Sequence, residues 1–327
     1  MLRSRKLIQF TLALLLAGLA KVPLERSFTA ELRDRNLIPP ALTRERWNQL
    51  GQTGLAATLG GLRSVIAVIW NLRAHAHFAD QEWYELERDY ELITALDPYN
   101  PFYWNLGGWH LAYNAASAAR ANRDLPEAER LLIEREYLEK GDAFFRRGLS
   151  YLPNDVFLWS QIANLWTSPY KRPDLERALP AWKEAAERGQ NPVYRRRYLY
   201  TLAQIPGREY QARAYAFRLL QEHPGHLRIP SFQTVLWSVQ DLPGLPPSAP
   251  RLTLEQIFGD QARAYRALYN YRFRVQEDGF FSGPLDQTLR ELAAELDVPV
   301  ALNPFLTPRQ RRLTRTEWNR LVPEHPI

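Results

Sequence analysis

The chain has 327 residues, of which 46% are hydrophobic and 24% are charged, so it can form a sizeable folded core and is not a disordered chain. It contains no cysteine, which excludes disulfides, thiolate metal sites and cysteine nucleophiles. The net charge is +6, but acidic residues are interleaved with the basic ones, which favours an ordinary solvated surface over a nucleic-acid-binding surface.

The N-terminus combines a basic start with an apolar run. Arg3, Arg5 and Lys6 come directly before Leu7–Ala20, and this order is typical of an export signal or a membrane anchor. As a helix the run would span about 21 Å, and about 27 Å if it extends to Leu24, against a hydrocarbon core of about 30 Å. Three interpretations stay open: an uncleaved anchor, a signal peptide cleaved after Ala20, and a buried or amphipathic helix in a cytosolic protein.

We prefer the anchor. Residues 1–27 would then form the anchor or signal segment, and 28–60 a lead-in helix and linker. The expected location is the inner membrane, crossed once, with the soluble part on the extracytoplasmic side, since a short basic tail favours the cytoplasm. An exported soluble protein is the second choice.

Two later segments share the pattern Pro-x-x-x-Phe-x-Trp: Pro98–Trp104 and Pro153–Trp159. Proline cannot continue a helix and tryptophan fills wide gaps between helices, so each segment is expected to separate one helix from the next. Residues that suit close helix packing recur at the same distances before two later prolines: Gly141, Phe145 and Gly148 before Pro153, and Ala212, Ala216 and Leu219 before Pro224.

This arrangement resembles the tetratricopeptide repeat, a helix–turn–helix unit of about 34 residues. Trp70 and Pro98 lie 28 residues apart with Tyr90 between them, as in that repeat. A third unit starts at Trp159 and is completed by residues around Trp182, and a fourth starts at Tyr194. The resemblance implies an all-α fold, a degenerate tetratricopeptide-like α-solenoid, whose tryptophans are mostly buried: Trp70, Trp104, Trp159 and Trp182.

The order of segments is also similar to a group of bacterial tetratricopeptide proteins with an N-terminal membrane segment. In that group a Gly-Gly-x-Arg start, here Gly60–Arg63, precedes a helix that contains tryptophan. The resemblance implies a membrane-tethered scaffold for protein–protein interaction and no catalysis. Its partner is a protein of unknown identity.

The repeats are irregular. Trp104 and Pro153 are 49 residues apart, so this unit carries an insertion, and Asn122–Lys140 is expected to lengthen both of its helices. The segment Ser168–Asp174 interrupts the third unit.

Apolar residues at helical spacing predict one buried stripe on the first repeat helix, at Leu62, Val65, Ile66, Ile69 and Trp70. The repeats would occupy 61–227. A proline-rich linker, 228–252 with Leu242–Pro250 at its centre, would precede a helical region at 253–327. We expect helices at Leu254–Val275 and Pro284–Leu296, and a basic tail from Thr307 that is only partly ordered.

Partner contacts are expected on the first helices of the repeats, near Asn105, Trp109, Asn164 and Tyr198, because stacked repeats form a groove that accepts a peptide or a helix. No cofactor or small-molecule substrate is expected.

Residues with chemical potential have ordinary explanations. His75 and His77 point about 200° apart on a helix, so one metal ion cannot easily take both. The alternative function is a carbohydrate-active enzyme or sugar-binding protein on an α/α scaffold, which would need two opposed carboxylates in a tryptophan-lined cleft. The candidate carboxylates are Asp89, Glu91, Glu134, Glu136 and Asp155.

Two basic runs, Arg195–Arg197 and Arg309–Arg312, could contact phosphate or acidic lipid. A solvated helix face and a charged tail are the ordinary interpretation of these runs, and we favour it.

Overall fold

The protein is described by a computed structural model, which covers 27–35, single positions between 38 and 48, and 62–277, 283–306 and 311–327. Within these residues all regular secondary structure is helical and no strand occurs, so the predicted all-α fold is confirmed. The apolar run Leu7–Ala20 lies outside the described residues. Of the helices that are described, none is both long and apolar enough to cross a bilayer.

The chain divides into two compact units between Leu158 and Trp159. After a short helical segment at 27–34, unit 1 contains α1 (Arg63–Ala79), α2 (Trp83–Leu96), α3 (Pro101–Trp109), a π-helical turn (His110–Ala115), α4 (Ala116–Ala121) and α5 (Glu127–Tyr151). The boundary between the units falls within α6 (Val156–Thr167).

Helix pairs build unit 1. α1 packs on α2, and α3, the π turn and α4 pack along α5. Both partners of the second pair are long, since helical structure runs from Pro101 to Ala121 and α5 has 25 residues.

Asparagine–proline steps start two of the described helices, at Asn100–Pro101 and Asn191–Pro192. At α3, Pro101 takes the first helical position and the Asn100 side chain accepts a hydrogen bond from the Phe102 N–H. Proline fits there because the first amide groups of a helix have no intrahelical partner, and asparagine satisfies one of them.

Glycines let α3–α4 and α5 approach closely. A methyl group on Gly141 would lie 2.5 Å from the Ala112 Cβ, and one on Gly148 would lie 2.7 Å from the Trp104 Cγ. Trp104 is 4% exposed, and its indole N–H donates to the Pro98 carbonyl at 2.8 Å. The tryptophan and proline of the repeat pattern are therefore joined directly.

The other repeat tryptophans follow the prediction in part. Trp182 is buried, whereas Trp70 and Trp159 are half-buried. The small residues of the pattern lie in the core, as close helix packing requires: Gly141, Gly148, Ala178, Ala185, Ala212 and Ala216.

The predicted stripe on α1 is wrong in its orientation. Leu62, Val65 and Ile69 are more than half exposed, and only Ile66 of the five predicted residues is fully buried. The face that meets α2 instead carries small residues, Ala67 and Ala74, which let the two helices come close. This helix has apolar residues of its own on every face, so the periodicity of the sequence alone selected the wrong face.

Unit 2 continues with α7 (Leu175–Arg188), α8 (Pro192–Gln204), α9 (Glu209–Glu222), a 3₁₀ turn (Pro224–Arg228) and α10 (Pro230–Gln240). Its C-terminal half contains α11 (Leu254–Phe258), α12 (Gln261–Glu277), α13 (Gly283–Glu295), a 3₁₀ turn (Val300–Leu302) and α14 (Arg315–Leu321). A single hydrophobic cluster extends from Leu179 to Ile327.

The proline-rich segment Leu242–Pro250 is not helical, and it lies within unit 2. The Arg213 side chain holds both of its ends by donating to the Gln240 carbonyl at 3.0 Å and to the Pro250 carbonyl at 2.6 Å. The core therefore continues across this segment.

The described part of the predicted basic tail, residues 311–327, packs against the rest of unit 2. Trp318 is completely buried, its indole N–H donates to the His325 carbonyl at 2.6 Å, and its ring lies 5.4 Å from that of Tyr265. Thr314 caps α14 by accepting from the Glu317 N–H. One large apolar side chain anchors a segment whose charge suggested a loose tail.

Candidate functional site

Three helices of unit 2 form a groove around Tyr198. α7 and α9 both pack on α8, and they leave a cavity of about 510 Å³. We define the α7–α9 groove by its lining residues, which are Lys183, Ala186, Glu187, Tyr198, Gln211, Ala214, Tyr215 and Arg218.

Two tyrosines contribute the aromatic surface of this groove. Tyr198 meets Tyr215 edge to face, with ring centroids 4.9 Å apart, and the Arg218 guanidinium lies 4.5 Å from the centre of the Tyr215 ring. Burial raises the pKa of the Tyr215 hydroxyl above its usual range, although Arg218 acts in the opposite direction. Tyr215 is therefore a neutral hydroxyl that can donate or accept a hydrogen bond.

Charged residues of both signs border these rings. Lys183 lies 3.8 Å from Glu187, and Arg218 lies 3.8 Å from Glu222. At such distances on a solvated surface these pairs contribute little to stability. Their charges stay accessible to a binding partner.

The other predicted partner residues lie on other elements. Asn105 and Trp109 are one helical turn apart on α3 of unit 1, whereas Asn164 is half-buried on α6 of unit 2. Trp109 is 40% exposed and stacks on Tyr113 with centroids 6.5 Å apart. Tyr198 is the predicted residue that the structure places in a groove.

A π-helical turn follows Trp109, and sequence analysis missed it. Such turns disrupt the regular helical hydrogen bonding and occur frequently at functional sites. His110, its first residue, is buried, with its ring centroid 4.5 Å from that of Phe78 and its Nδ1 atom 3.1 Å from the Asn114 amide nitrogen. Burial, with a smaller effect of His75, lowers the pKa of His110 to about 4.

His75 and His77 do not converge. His75 is exposed, whereas the His77 Nδ1 atom lies 3.0 Å from the Asp89 carboxylate, which also lies 3.7 Å from the Arg73 Nε atom. Burial raises the pKa of Asp89, against the effects of Arg73 and His77. This cluster joins α1 to α2, and no metal-binding group of three ligands occurs in the part of the chain that the structure describes.

Each candidate carboxylate has a structural partner. Asp89 contacts His77 and Arg73, Glu134 pairs with Arg120, and Glu136 pairs with Lys140. Glu91 pairs with Arg46 and Arg147, and Asp155 accepts from the Leu158 N–H at the start of α6. All five carboxylates therefore take part in ion pairs or hydrogen bonds of the fold.

Comparisons with protein families, with curated proteins and with solved structures give no match to this chain.

Proposed function

We propose that the chain is a non-catalytic, membrane-tethered helical scaffold of the tetratricopeptide type, and that its α7–α9 groove binds an amphipathic helix of a partner protein. The observation that carries this proposal is the open groove with the Tyr198–Tyr215 pair inside it. Tyrosine is enriched at protein interfaces because it combines a large apolar surface with a polar tip.

A helix fits this groove better than an extended strand. Helix-in-groove recognition uses apolar residues three or four positions apart, and the alanines at 186 and 214 leave room for such side chains between α7 and α9. Recognition by strand addition would instead need a row of unpaired backbone groups, and the groove walls are helices whose backbone groups are already paired.

The tether rests on the basic residues that precede Leu7–Ala20, which lie outside the described residues. The repeat character rests on the buried small residues of the pattern and on the Trp104–Pro98 hydrogen bond. A scaffold of this kind would hold a partner at the membrane surface.

The test is site-specific photo-crosslinking in cells that express the full chain. A photoreactive residue at Gln211, inside the groove, should give a discrete adduct with one protein, and the same residue at Tyr170, which is exposed on a loop of unit 2, should not. The partner is then identified by mass spectrometry, purified and titrated with the scaffold.

A matched pair of variants makes this test specific. Ala214→Trp fills the groove, whereas Ala294→Trp places the same side chain on an exposed position of α13. We expect Ala214→Trp to weaken binding of the purified partner at least tenfold and Ala294→Trp to leave it within twofold. Equal binding by both variants would show that the groove is not the binding site.

A further inference from the structure

A second cavity of unit 2 has a volume of about 610 Å³. Its walls come from the 3₁₀ turn before α10, from α10 and α12, and from the residues that lead into α14. This volume lies within the range of small-molecule pockets. The cavity shares no lining residue with the α7–α9 groove, so inferences about it do not depend on the proposed function.

Positive charge dominates this cavity, which we name the arginine cavity. Five of its lining residues are arginines, and none is an aspartate or a glutamate: the arginines are Arg228, Arg263, Arg266, Arg312 and Arg315. A concave surface with one sign of charge concentrates the electric field and attracts counter-ions.

Most of this charge lacks a protein counter-charge. Arg263 pairs with Asp260 at 3.1 Å, and the Arg315 Nε atom donates to the Ile327 carbonyl. In the described part of the chain, Arg228, Arg266 and Arg312 form no ion pair. Three guanidinium groups at one cavity are therefore available to an external anion.

Among the five arginines of the cavity, Arg266 has the pKa that is clearly lowered. Burial lowers the pKa of its guanidinium, and the charges of Arg315 and Arg263 lower it further. A guanidinium stays charged under physiological conditions, so the folded protein retains the mutual repulsion of these groups. A bound anion would relieve that repulsion.

Hydrogen bonds hold the cavity walls in place. The Asn270 side chain of α12 donates to the Leu313 carbonyl at 3.2 Å and accepts from the Leu313 N–H at 2.8 Å, which fixes the backbone beside Arg312. The Gln233 amide donates to the carbonyls of Leu227 and Ile257, both at 2.7 Å, which fixes the backbone beside Arg228. The arginines are thus presented from a constrained framework, which limits the entropy lost on binding.

We propose that the arginine cavity binds a phosphate group of an organic ligand. Guanidinium groups recognise phosphate oxygens through paired hydrogen bonds, and several of them suit an anion with more than one charge. Phe258 and Tyr271 also line the cavity and offer an apolar surface to the rest of the ligand. The phosphate can come from a soluble phosphorylated molecule or from a lipid headgroup.

The test measures binding of two probes to the full chain in a non-ionic detergent by isothermal titration calorimetry. Inorganic pyrophosphate represents a soluble phosphate, and dihexanoyl phosphatidylglycerol below its micelle concentration represents a lipid headgroup, with dihexanoyl phosphatidylcholine for comparison. The variants are Arg266→Gln and Arg312→Gln. Arg320→Gln, an exposed arginine of α14 outside the cavity, is the control that removes the same charge.

We expect Arg266→Gln and Arg312→Gln to weaken binding of at least one anionic probe tenfold or more, and Arg320→Gln to change it less than twofold. Binding of pyrophosphate points to a soluble ligand, and binding of phosphatidylglycerol without pyrophosphate points to a lipid. If neither probe binds, or if all three variants weaken binding equally, the proposal is overturned. Arg312 is exposed, so its variant decides the result should Arg266→Gln fail to fold.

Discussion

His110 shows how one buried side chain links the π turn to the stability of unit 1. Its ring lies among Phe78, Tyr90 and Trp109, and its pKa is lowered to about 4 by burial and, to a smaller degree, by His75. In an unfolded chain the same imidazole has a pKa of about 6.5. Between these values the unfolded state binds a proton that the folded state does not.

Acidification should therefore destabilise the protein through His110. The contribution of neutral His110 to the free energy of unfolding is complete above about pH 6.5 and is lost as the pH drops towards 4. For a pKa shift of this size the loss reaches about 3 kcal/mol. The measurement is urea unfolding at pH 7 and at pH 4.5 for the parent and for His110→Phe, which cannot titrate. The loss on acidification should be smaller in the variant.

The control for this prediction is His325→Gln, which removes an exposed histidine from unit 2. Its free energy of unfolding should change between pH 7 and pH 4.5 by the same amount as that of the parent. If His110→Phe loses as much stability on acidification as the parent, burial of His110 does not control the acid response. The three proteins contain the same carboxylates, so the comparison isolates the effect of each histidine.

Single residues differ in how far sequence could predict their environment. Tyr198 and Trp109 were predicted as partner contacts because they lie on first helices of the expected repeats, where core and groove positions alternate. Their sequence context could not separate these roles, since exposure depends on which neighbouring helix covers them. The π turn at His110 has no sequence signature, because it reflects how α3–α4 fits against α5.

At the scale of elements, glycine and aromatic residues set the distance between α3–α4 and α5. Gly107 and Gly108 face the rings of Phe144 and Phe145, and Gly141 faces Ala112 and the Gly108 carbonyl oxygen. The aromatic side chains of one helix thus fill the space that the glycines of the other leave. This complementarity explains why glycine occurs in the interior of long helices, where it is otherwise unfavourable.

Gly141→Ala should destabilise unit 1. The added methyl group would lie 2.8 Å from the Ala112 amide nitrogen and 2.9 Å from the Gly108 oxygen, and backbone atoms cannot move aside easily. Overpacking costs about 1–3 kcal/mol, which exceeds the gain of about 1 kcal/mol in helix propensity. Denaturant unfolding measures the net loss.

Ser150→Ala is the matched control for this prediction, because it raises helix propensity at an exposed position of α5. It should change the free energy of unfolding by less than about 0.5 kcal/mol. A Gly141→Ala protein that is more stable than the parent would show that the helices can separate at no cost, contrary to the close packing described above.

Sequence patterns predicted elements well where the signals were local. Proline separates consecutive helices, and the spacing of small residues identified the buried faces of α5, α7 and α9. The same reasoning failed on α1, because apolar residues on both faces leave the periodicity without a preferred side. The face of contact there depends on the small residues Ala67 and Ala74, which a hydrophobicity pattern underweights.

At the scale of the whole molecule, contacts between distant residues were beyond the reach of sequence. Arg228, Arg266 and Arg312 come from three separate segments, and no motif joins them. Arg312 belongs to a basic run that we interpreted as part of a charged tail. Its position depends on Trp318 and on the Asn270–Leu313 hydrogen bonds, which become visible only once the tail is placed on α12.

Trp318→Ala should destabilise the whole of unit 2. The side chain is completely buried beside Tyr265 in a hydrophobic cluster that starts at Leu179, so its removal leaves a large cavity. Such a loss costs about 3–5 kcal/mol. Because the cluster is continuous, amide hydrogen exchange should accelerate in α10 and α12 as well as in residues 311–327.

Trp109→Ala provides the comparison, since it removes the same side chain from an exposed position of unit 1. It should lower the free energy of unfolding by less than Trp318→Ala does, because Trp109 is 40% exposed and its removal takes less apolar area from the protein interior. A loosely attached tail would behave differently: Trp318→Ala would then melt like the parent, and faster exchange would be confined to residues 311–327. That outcome would separate the tail from the core of unit 2 and would remove the framework that positions Arg312 in the arginine cavity.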